Sequence, residues 1–429
     1  MRVLVTGATG YIGGRLVPRL LDAGHTVRVI ARTPQKLADV PWRGAVDVVE
    51  GDLLDAAAVD DAVQDQDAVF YLVHSMAAGS DFAAAERRSA QIMAGAARRA
   101  GVKRFVYLGG LHPEGQLSRH LASRAEVGSI LLASGVPTIA LQAGVVIGSG
   151  STSFEMIRHL TDVLPWMPAP KWVRNHIQPI AVRDVLYYLV EAPYVAEDIN
   201  RTFDIGGPDV LRYGQMLNGY ALGAKLPQRA IASLPVLTPG LAAHWVHLVT
   251  PVPRAVAKPI IESLQFECVQ REHDIDAVIP PPPGGLTPYR RAVRLALAKM
   301  RTGQVETSWR GATLDWAPSD PLPSDPQWAG HRVYVDDRSR TTTASSAAVW
   351  RVVESIGGDN GWYSFPLAWS LRGWMDRLVG GVGLRRGRRN PNTLHQGDVL
   401  DWWRVERLDA GRFLRLRAEF KAPAVPGSR

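Results

Sequence analysis

Thr6-Gly7-Ala8-Thr9-Gly10-Tyr11-Ile12-Gly13-Gly14 is the stretch that decides the fold. It follows the short apolar run Val3–Thr6. It leads into Tyr11–Ala23, where Ile12, Leu16, Leu20 and Leu21 share one helical face and Gly24 ends the pattern. A strand, a glycine turn and a helix in that order make a cradle for a diphosphate. Gly7 permits the tight turn, Gly10 lets the backbone approach phosphate oxygens, and Gly13 lets the helix pack close to the strand. The helix start presents free N–H groups and a positive dipole end. Thr6, Thr9, Tyr11 and Ile12 are expected to line the same site.

Strand and helix signals alternate outward from this turn. Apolar strands are expected at Thr26–Ala31, Val46–Glu50, Ala68–Val73, Arg104–Leu108 and Thr138–Ile147, with a long alanine-rich helix over Asp81–Ala100. Strands this apolar, separated by helices, predict a parallel sheet covered on both faces, which is an α/β doubly wound arrangement. Ligands of such sheets sit at the carboxyl ends of the strands.

The second strand ends in Ala31-Arg32-Thr33. A carboxylate here would take a ribose 2′-hydroxyl, whereas the guanidinium of Arg32 suits a 2′-phosphate. NADP(H) is therefore the expected cofactor, with NAD as the alternative. The third strand ends in Gly51-Asp52-Leu53, which places Asp52 and Leu53 beside the adenine. Asp52 serves equally well as a turn or capping aspartate. His74 and Ser75 close the fourth strand near the expected cofactor cleft, and His112 follows the fifth.

The run TGATGYIG at 6–13 resembles the fingerprint of extended and atypical short-chain dehydrogenases. Gly51-Asp52-Leu53, the segment from Pro179 to Val185, and Phe203–Pro208 agree with it, so the resemblance covers roughly residues 1–225. Within that superfamily the chain is similar to NmrA-like and NAD-dependent-epimerase-like proteins, which implies a Rossmann-type fold that binds NAD(P). Hydride-transferring relatives carry Tyr-x-x-x-Lys on a helix and a Ser or Thr after the fifth strand. Here Leu108-Gly109-Gly110-Leu111 follows that strand, and the helix reads Ser118–Glu126. The resemblance thus puts His120 at the tyrosine position and Arg124 at the lysine position. His120 titrates near neutrality, whereas Arg124 does not give up its proton. Two functions stay open. One is an NADP(H)-dependent oxidoreductase or epimerase-like enzyme acting on a small molecule and lacking the usual Ser/Tyr/Lys set. The other is a non-catalytic NADP(H)-binding redox sensor or accessory protein.

Composition changes beyond residue 280. Prolines crowd 280–283 and 318–326, and tryptophans concentrate after 300. The expected organisation is a Rossmann domain over 1–300 with insertions covering the substrate, a linker over 301–330 and a smaller α+β domain over 331–429. The segment Ser345–Gly361, with strand-like Val399–Arg407 and Phe413–Phe420, resembles a shortened polyketide-cyclase or START-like helix-grip domain. Trp166, Met167, Trp172 and Tyr213 would line an apolar substrate pocket or belong to a core.

The single cysteine, Cys268, excludes a disulfide framework and a thiolate metal cluster. No metal site is expected, because His244 and His247 lack a partner carboxylate motif. The opening residues show no cleavable leader, and prolines interrupt the apolar stretch 231–256, so a cytoplasmic location is expected. The net charge of +8 is concentrated late, with 13 Lys plus Arg against 6 Asp plus Glu from Arg372 onward, and Arg385-Arg386-Gly387-Arg388-Arg389 is the densest part. That cluster offers peripheral contact with an anionic membrane or stands as a solvated loop. No nucleic-acid-binding signature accompanies it.

Overall fold

A computed structural model describes residues 1–37, 40–73, 82–113, 115, 117–234, 240, 242, 246, 254–301, 306–307, 338–363, 371, 374–375, 388, 390 and 393–418. Strand β1 (Arg2–Thr6) is buried from Val3 onward, as a central strand must be. The chain then forms α1 (Gly13–Asp22), β2 (Thr26–Ala31), β3 (Asp47–Glu50), α2 (Ala56–Val63), β4 (Ala68–Tyr71), α3 (Phe82–Arg99), β5 (Arg104–Gly110), α4 (Arg119–Leu132) and β6 (Thr138–Ala143). After the short β7 (Val146–Ile147) come α5 (Thr152–Val163), β8 (Trp166–Pro170), β9 (His176–Ile177), β10 (Ile180–Ala181), α6 (Val182–Glu191), β11 (Arg201–Ile205), β12 (Leu211–Arg212), α7 (Tyr213–Gly223) and β13 (Ala230–Leu234).

Seven strands form one sheet in the order β11-β6-β5-β4-β1-β2-β3. All its pairings are parallel, for example Val3 with Val27 and Val5 with Phe70. The order reverses between β1 and β4, which opens a crevice at their carboxyl ends. On one face, Leu16, Val17 and Leu20 of α1 pack with Val185, Leu186 and Leu189 of α6. On the other, Val59 and Val63 of α2, Met93 of α3 and Leu131 of α4 cover the sheet. This is the doubly wound α/β architecture expected from the sequence.

Three local departures have physical causes. Helix α1 begins at Gly13 rather than Tyr11, because Gly10 N donates to Gly7 O at 2.9 Å and holds the chain in a turn. The strand expected over 138–147 ends at Ala143. At Gly144 the backbone passes so close to Gln178 that a Cβ would sit 1.9 Å from its carbonyl oxygen, and β7 then pairs with β10 outside the main sheet. The Phe203–Ile205 motif supplies the seventh strand, β11, beside β6.

A second core lies beyond β6. Phe154, Ile157 and Leu160 of α5 pack with Met216, Leu217 and Tyr220 of α7 and with Val293 and Ala296 of the helix Tyr289–Arg301. Met167 and Tyr213 are buried in it, and Trp172 packs on Tyr213 at 6.4 Å. Those three belong to the core reading rather than to a substrate pocket, while Trp166 is exposed. Further on, β14 (Val399–Leu400), β15 (Trp403–Asp409) and β16 (Phe413–Ala418) form an antiparallel sheet. Between it and the helix Ser346–Glu354 runs a groove of about 710 Å³, with Val349, Trp350, Trp403 and Leu414 among its walls. Among the described residues no helix is long and apolar enough to cross a membrane.

Candidate functional site

The glycine turn is built so that its glycines do different things. Gly7 sits at φ +73° in the left-handed region, and a Cβ there would meet Leu72 O at 3.0 Å. A Cβ on Gly13 would meet Gly7 O at 2.3 Å, so only glycine lets α1 come this close to β1. A Cβ on Gly10 would touch, among the described residues, Gly7 O alone, at 3.1 Å. Gly10 is therefore spared for something that approaches from outside the chain.

Helix α1 has Ile12 as its N-cap and no side-chain cap. Gly14 N donates to Gly10 O and Leu16 N to Ile12 O, whereas the amides of Tyr11, Ile12 and Gly13 donate to no carbonyl among the described residues. Three unspent N–H groups beside an unobstructed Gly10 fit a diphosphate.

Thr6 contributes differently from the expectation that it faces the ligand. Its hydroxyl donates to Phe70 O at 3.2 Å and accepts from Leu72 N at 3.0 Å, stitching β1 to the end of β4 beneath the turn. Thr9 lies exposed at the turn. Tyr11 offers only its main chain. Its ring lies under the Arg15 guanidinium at 4.7 Å, and its hydroxyl is buried beside Gly148, where burial pushes its pKa up.

Arg32 follows β2, is exposed, and makes no ion pair or hydrogen bond among the described residues. Asp52 accepts from Leu54 N at 2.9 Å through one carboxylate oxygen, which is the turn role. Leu53 is buried against the sheet, and Gly51 packs so tightly on Ala58 that a Cβ would lie 2.7 Å from its methyl. His74 and Ser75 lie outside the described residues, as do His244 and His247.

At the carboxyl end of β5 the structure brings Arg124 of α4 to the strand. Its Nη2 donates to Leu108 O at 2.6 Å, while Tyr107 Oη donates to Arg124 O at 2.9 Å. Arg124 Nε is buried without a hydrogen-bond acceptor, and a Cβ on Gly110 would lie 3.7 Å from it. His120 lies one turn earlier on α4, whose first turn is capped by Ser118 accepting from Leu121 N. Ser123 is turned inward onto Glu86 of α3 at 2.5 Å, and Glu126 forms a two-pronged pair with Arg87 on the outer face.

One polar chain at this end was not foreseen. Asp204 is fully buried and takes Arg271 through both oxygens, at 2.9 and 2.8 Å. Arg271 Nη2 also donates to Gln142 Oε1 at 3.0 Å, which leaves the Gln142 amide nitrogen to face His112 Nε2 at 3.1 Å. That nitrogen must donate, so His112 Nε2 accepts, and its Nδ1–H is directed to Pro113 O at 3.1 Å. The histidine after β5 is thus held between Gln142 and Pro113 O by its two ring nitrogens. Arg271 and Gln142 lie 129 positions apart, so spacing could not reveal their contact; the traces in the sequence were His112 after the fifth strand and Asp204 within the Phe203-Asp204-Ile205 motif.

The basic cluster is only partly described. Arg388 points inward, donating to Glu354 O at 2.7 Å and Ile356 O at 2.6 Å at the end of the helix Ser346–Glu354. At this one position the guanidinium is spent on the end of that helix. Arg385, Arg386 and Arg389 lie outside the described residues.

Residues 7–134 match the family described as NAD(P)H-binding, and residues 328–424 match a family described as a protein of unknown function (DUF2867). The first part of the chain thus has a Rossmann-type fold and is similar to NAD(P)H-binding domains. The chain is 38% identical over 116 residues to a 3 beta-hydroxysteroid dehydrogenase/Delta 5-->4-isomerase of Mycobacterium tuberculosis, covering 25% of this chain and 30% of that protein. It is 42% identical over 107 residues to a (4-alkanoyl-5-oxo-2,5-dihydrofuran-3-yl)methyl phosphate reductase of Streptomyces griseus, covering 25% of this chain and 33% of that protein. The matched stretch thus spans about a third of the length of these curated relatives.

Among solved structures, the triphenylmethane reductase of Citrobacter sp. superposes with a TM-score of 0.56 at 16% identity, covering 70% of this chain and 100% of that one. A UDP-glucose 4-epimerase of Thermotoga maritima superposes with a TM-score of 0.54 at 13% identity, covering 71% of this chain and 100% of that one. These likenesses are of fold.

Proposed function

We propose that the protein is an NADP(H)-dependent oxidoreductase of epimerase-like architecture, in which Gly110, His120 and Arg124 stand where relatives carry Ser, Tyr and Lys. The observation that carries this reading is Arg124. Its guanidinium is drawn to the carboxyl end of β5 beside Gly110, with a buried Nε left over after Nη2 is spent on Leu108 O. A buried donor without an acceptor is costly, and a ribose hydroxyl would satisfy it.

The amides of Tyr11, Ile12 and Gly13 hold the diphosphate past Gly10. Arg32 takes the 2′-phosphate, and the free oxygen of Asp52 reaches the adenine. The nicotinamide, when bound, supplies or accepts hydride. Proton handling falls to His120, since Arg124 stays protonated and serves by charge and hydrogen bonding alone.

The second reading, a non-catalytic NADP(H)-binding sensor, is favoured by the missing hydroxyl at Gly110. NADPH oxidation with quinones, enones and aldehydes separates the two. The panel includes a hydroxysteroid couple and a furanone phosphate, after the names of the relatives. Steady turnover that falls in His120→Ala and Gly10→Ala supports the enzyme; tight NADPH binding with no turnover supports the sensor. For residues 338–418 the reading is a helix-grip-like module, supported by the groove between the helix Ser346–Glu354 and its antiparallel sheet.

A further inference from the structure

Residues 306 and 307 lie nearly three hundred positions from the glycine turn, yet they are bonded to the back of it. Thr307 Oγ1 lies 2.8 Å from Tyr11 O and 2.9 Å from Arg15 Nε. A guanidinium nitrogen only donates, so the hydroxyl accepts from Arg15 and must send its own proton to the Tyr11 carbonyl. Arg15 is itself 1% exposed and fixed by Nη2 donating to Ser149 O at 2.7 Å. The Thr307 methyl fills the space over Gly14, where a Cβ would lie 2.7 Å from it. Next to it, Glu306 pairs with Arg19 at 3.0 Å and also with Lys299.

The Tyr11–Ile12 peptide is planar and trans, so its C=O and N–H point in opposite directions. Tying the Tyr11 carbonyl to Thr307 on one side fixes the Ile12 N–H on the opposite side of the peptide. That amide is one of the three left unspent at the turn. We infer that Thr307 is a positioning residue for the diphosphate: it fixes the Tyr11–Ile12 peptide, and Arg15 orients its hydroxyl. The inference rests on the reading that the turn holds a dinucleotide. It also makes Glu306 and Thr307 part of the nucleotide site, so that cofactor binding and the hydrogen bonds of these two residues are coupled.

The test compares Thr307→Val, which keeps the shape but loses the hydroxyl, with Thr307→Ser, which keeps the hydroxyl. Each is titrated with NADPH and with 2′-AMP, which reaches the Arg32 end but has no diphosphate. The expected result is about five- to tenfold weaker NADPH binding by T307V, near wild-type binding by T307S, and unchanged 2′-AMP binding by both. Equal NADPH affinity in T307V and wild type overturns the inference. So does a parallel loss of both ligands that serine does not rescue, which would mark a merely structural residue. In the wild-type protein, NADPH should also slow amide hydrogen exchange in the peptide containing 306 and 307, and unchanged exchange there contradicts the coupling. Wild-type protein that binds 2′-AMP but not NADPH would sink the dinucleotide reading itself, and this inference with it.

Discussion

Gly13 and Gly7 touch backbone to backbone: a Cβ on Gly13 would lie 2.3 Å from the Gly7 carbonyl oxygen and 2.7 Å from its carbon. Nothing flexible stands there to move aside. Gly13→Ala must therefore lift α1 off the turn, at a cost of about 1–3 kcal/mol. Among the described residues, the methyl of Gly10→Ala meets only Gly7 O at 3.1 Å. The two variants should separate in a paired measurement of thermal unfolding and NADPH affinity. Gly13→Ala lowers both, whereas Gly10→Ala keeps its Tm within a few degrees and still loses binding at least tenfold. A Gly10→Ala protein that binds like wild type would mean the ligand does not pass there.

Under the proposed function, Arg32 is the residue that chooses between the two pyridine dinucleotides. Exposed and without a partner among the described residues, it has no evident folding role. Arg32→Glu should leave the unfolding temperature unchanged while NADPH binding falls by about tenfold or more and NADH binding holds or improves. A preference that does not move between the two cofactors would assign Arg32 to solvent.

Arg124 is tied to Leu108 O at 2.6 Å, and the space beside it at Gly110 is open enough for a side chain, with Leu121 at 3.5 Å and Arg124 at 3.7 Å from a Cβ. Gly110→Ser should therefore fold normally and return a hydroxyl to the position where relatives keep one. Arg124→Met should weaken NADPH binding by about tenfold, because a charge-assisted donor is lost. Calorimetry and thermal unfolding of the two variants check this. A Gly110→Ser protein that unfolds many degrees earlier contradicts the open geometry.

Acid should loosen the Glu306 contact in a defined window. Burial raises this carboxyl, but hydrogen bonds from Arg19 and Lys299 and the charges of Arg19 and Arg15 outweigh it and hold the pKa at about 2. The unfolded value is about 4.3, so the folded pKa is depressed. The stabilisation is present above about pH 4.3 and is lost as pH falls toward 2. The Tm difference between wild type and Glu306→Gln should shrink across that window. A difference that stays constant would show that the ion pairs contribute nothing.

Cys268 is 8% exposed, and burial pushes its thiol up to about 11. A raised folded pKa favours the neutral thiol in the native state. That contribution is intact below about pH 8.5, the ordinary thiol value, and is lost as pH climbs toward 11. The thiol should be unreactive toward a disulfide reagent at neutral pH and titrate fully in denaturant. Rapid reaction in the native protein would contradict the burial.

What could be read from the sequence was what is local. The glycine turn declares itself because its spacing and its flanking strand and helix lie within a few residues. Strand β2 falls on Thr26–Ala31 as expected, because its apolar run is bounded by Gly24 and by Arg32. The end of β6 was hidden, since the close approach of Gly144 to Gln178 is set by a segment thirty-odd residues away. The Asp204–Arg271–Gln142–His112 chain and the Thr307 bond to Tyr11 were hidden for the same reason. Each joins residues that only the folded sheet brings together, and neither leaves a periodic or spaced signature. Arg388 shows the converse error: a run of arginines reads as surface, yet one member is used inside to cap a helix.

The central claim is that the turn from Gly7 to Gly13 grips a dinucleotide through its main-chain amides. Isothermal titration of the purified full-length protein with NADPH and with NADH tests it most directly. The account predicts one NADPH per chain, bound more tightly than NADH, with binding weakened about tenfold or more by Gly10→Ala. A flat titration with both cofactors would contradict it.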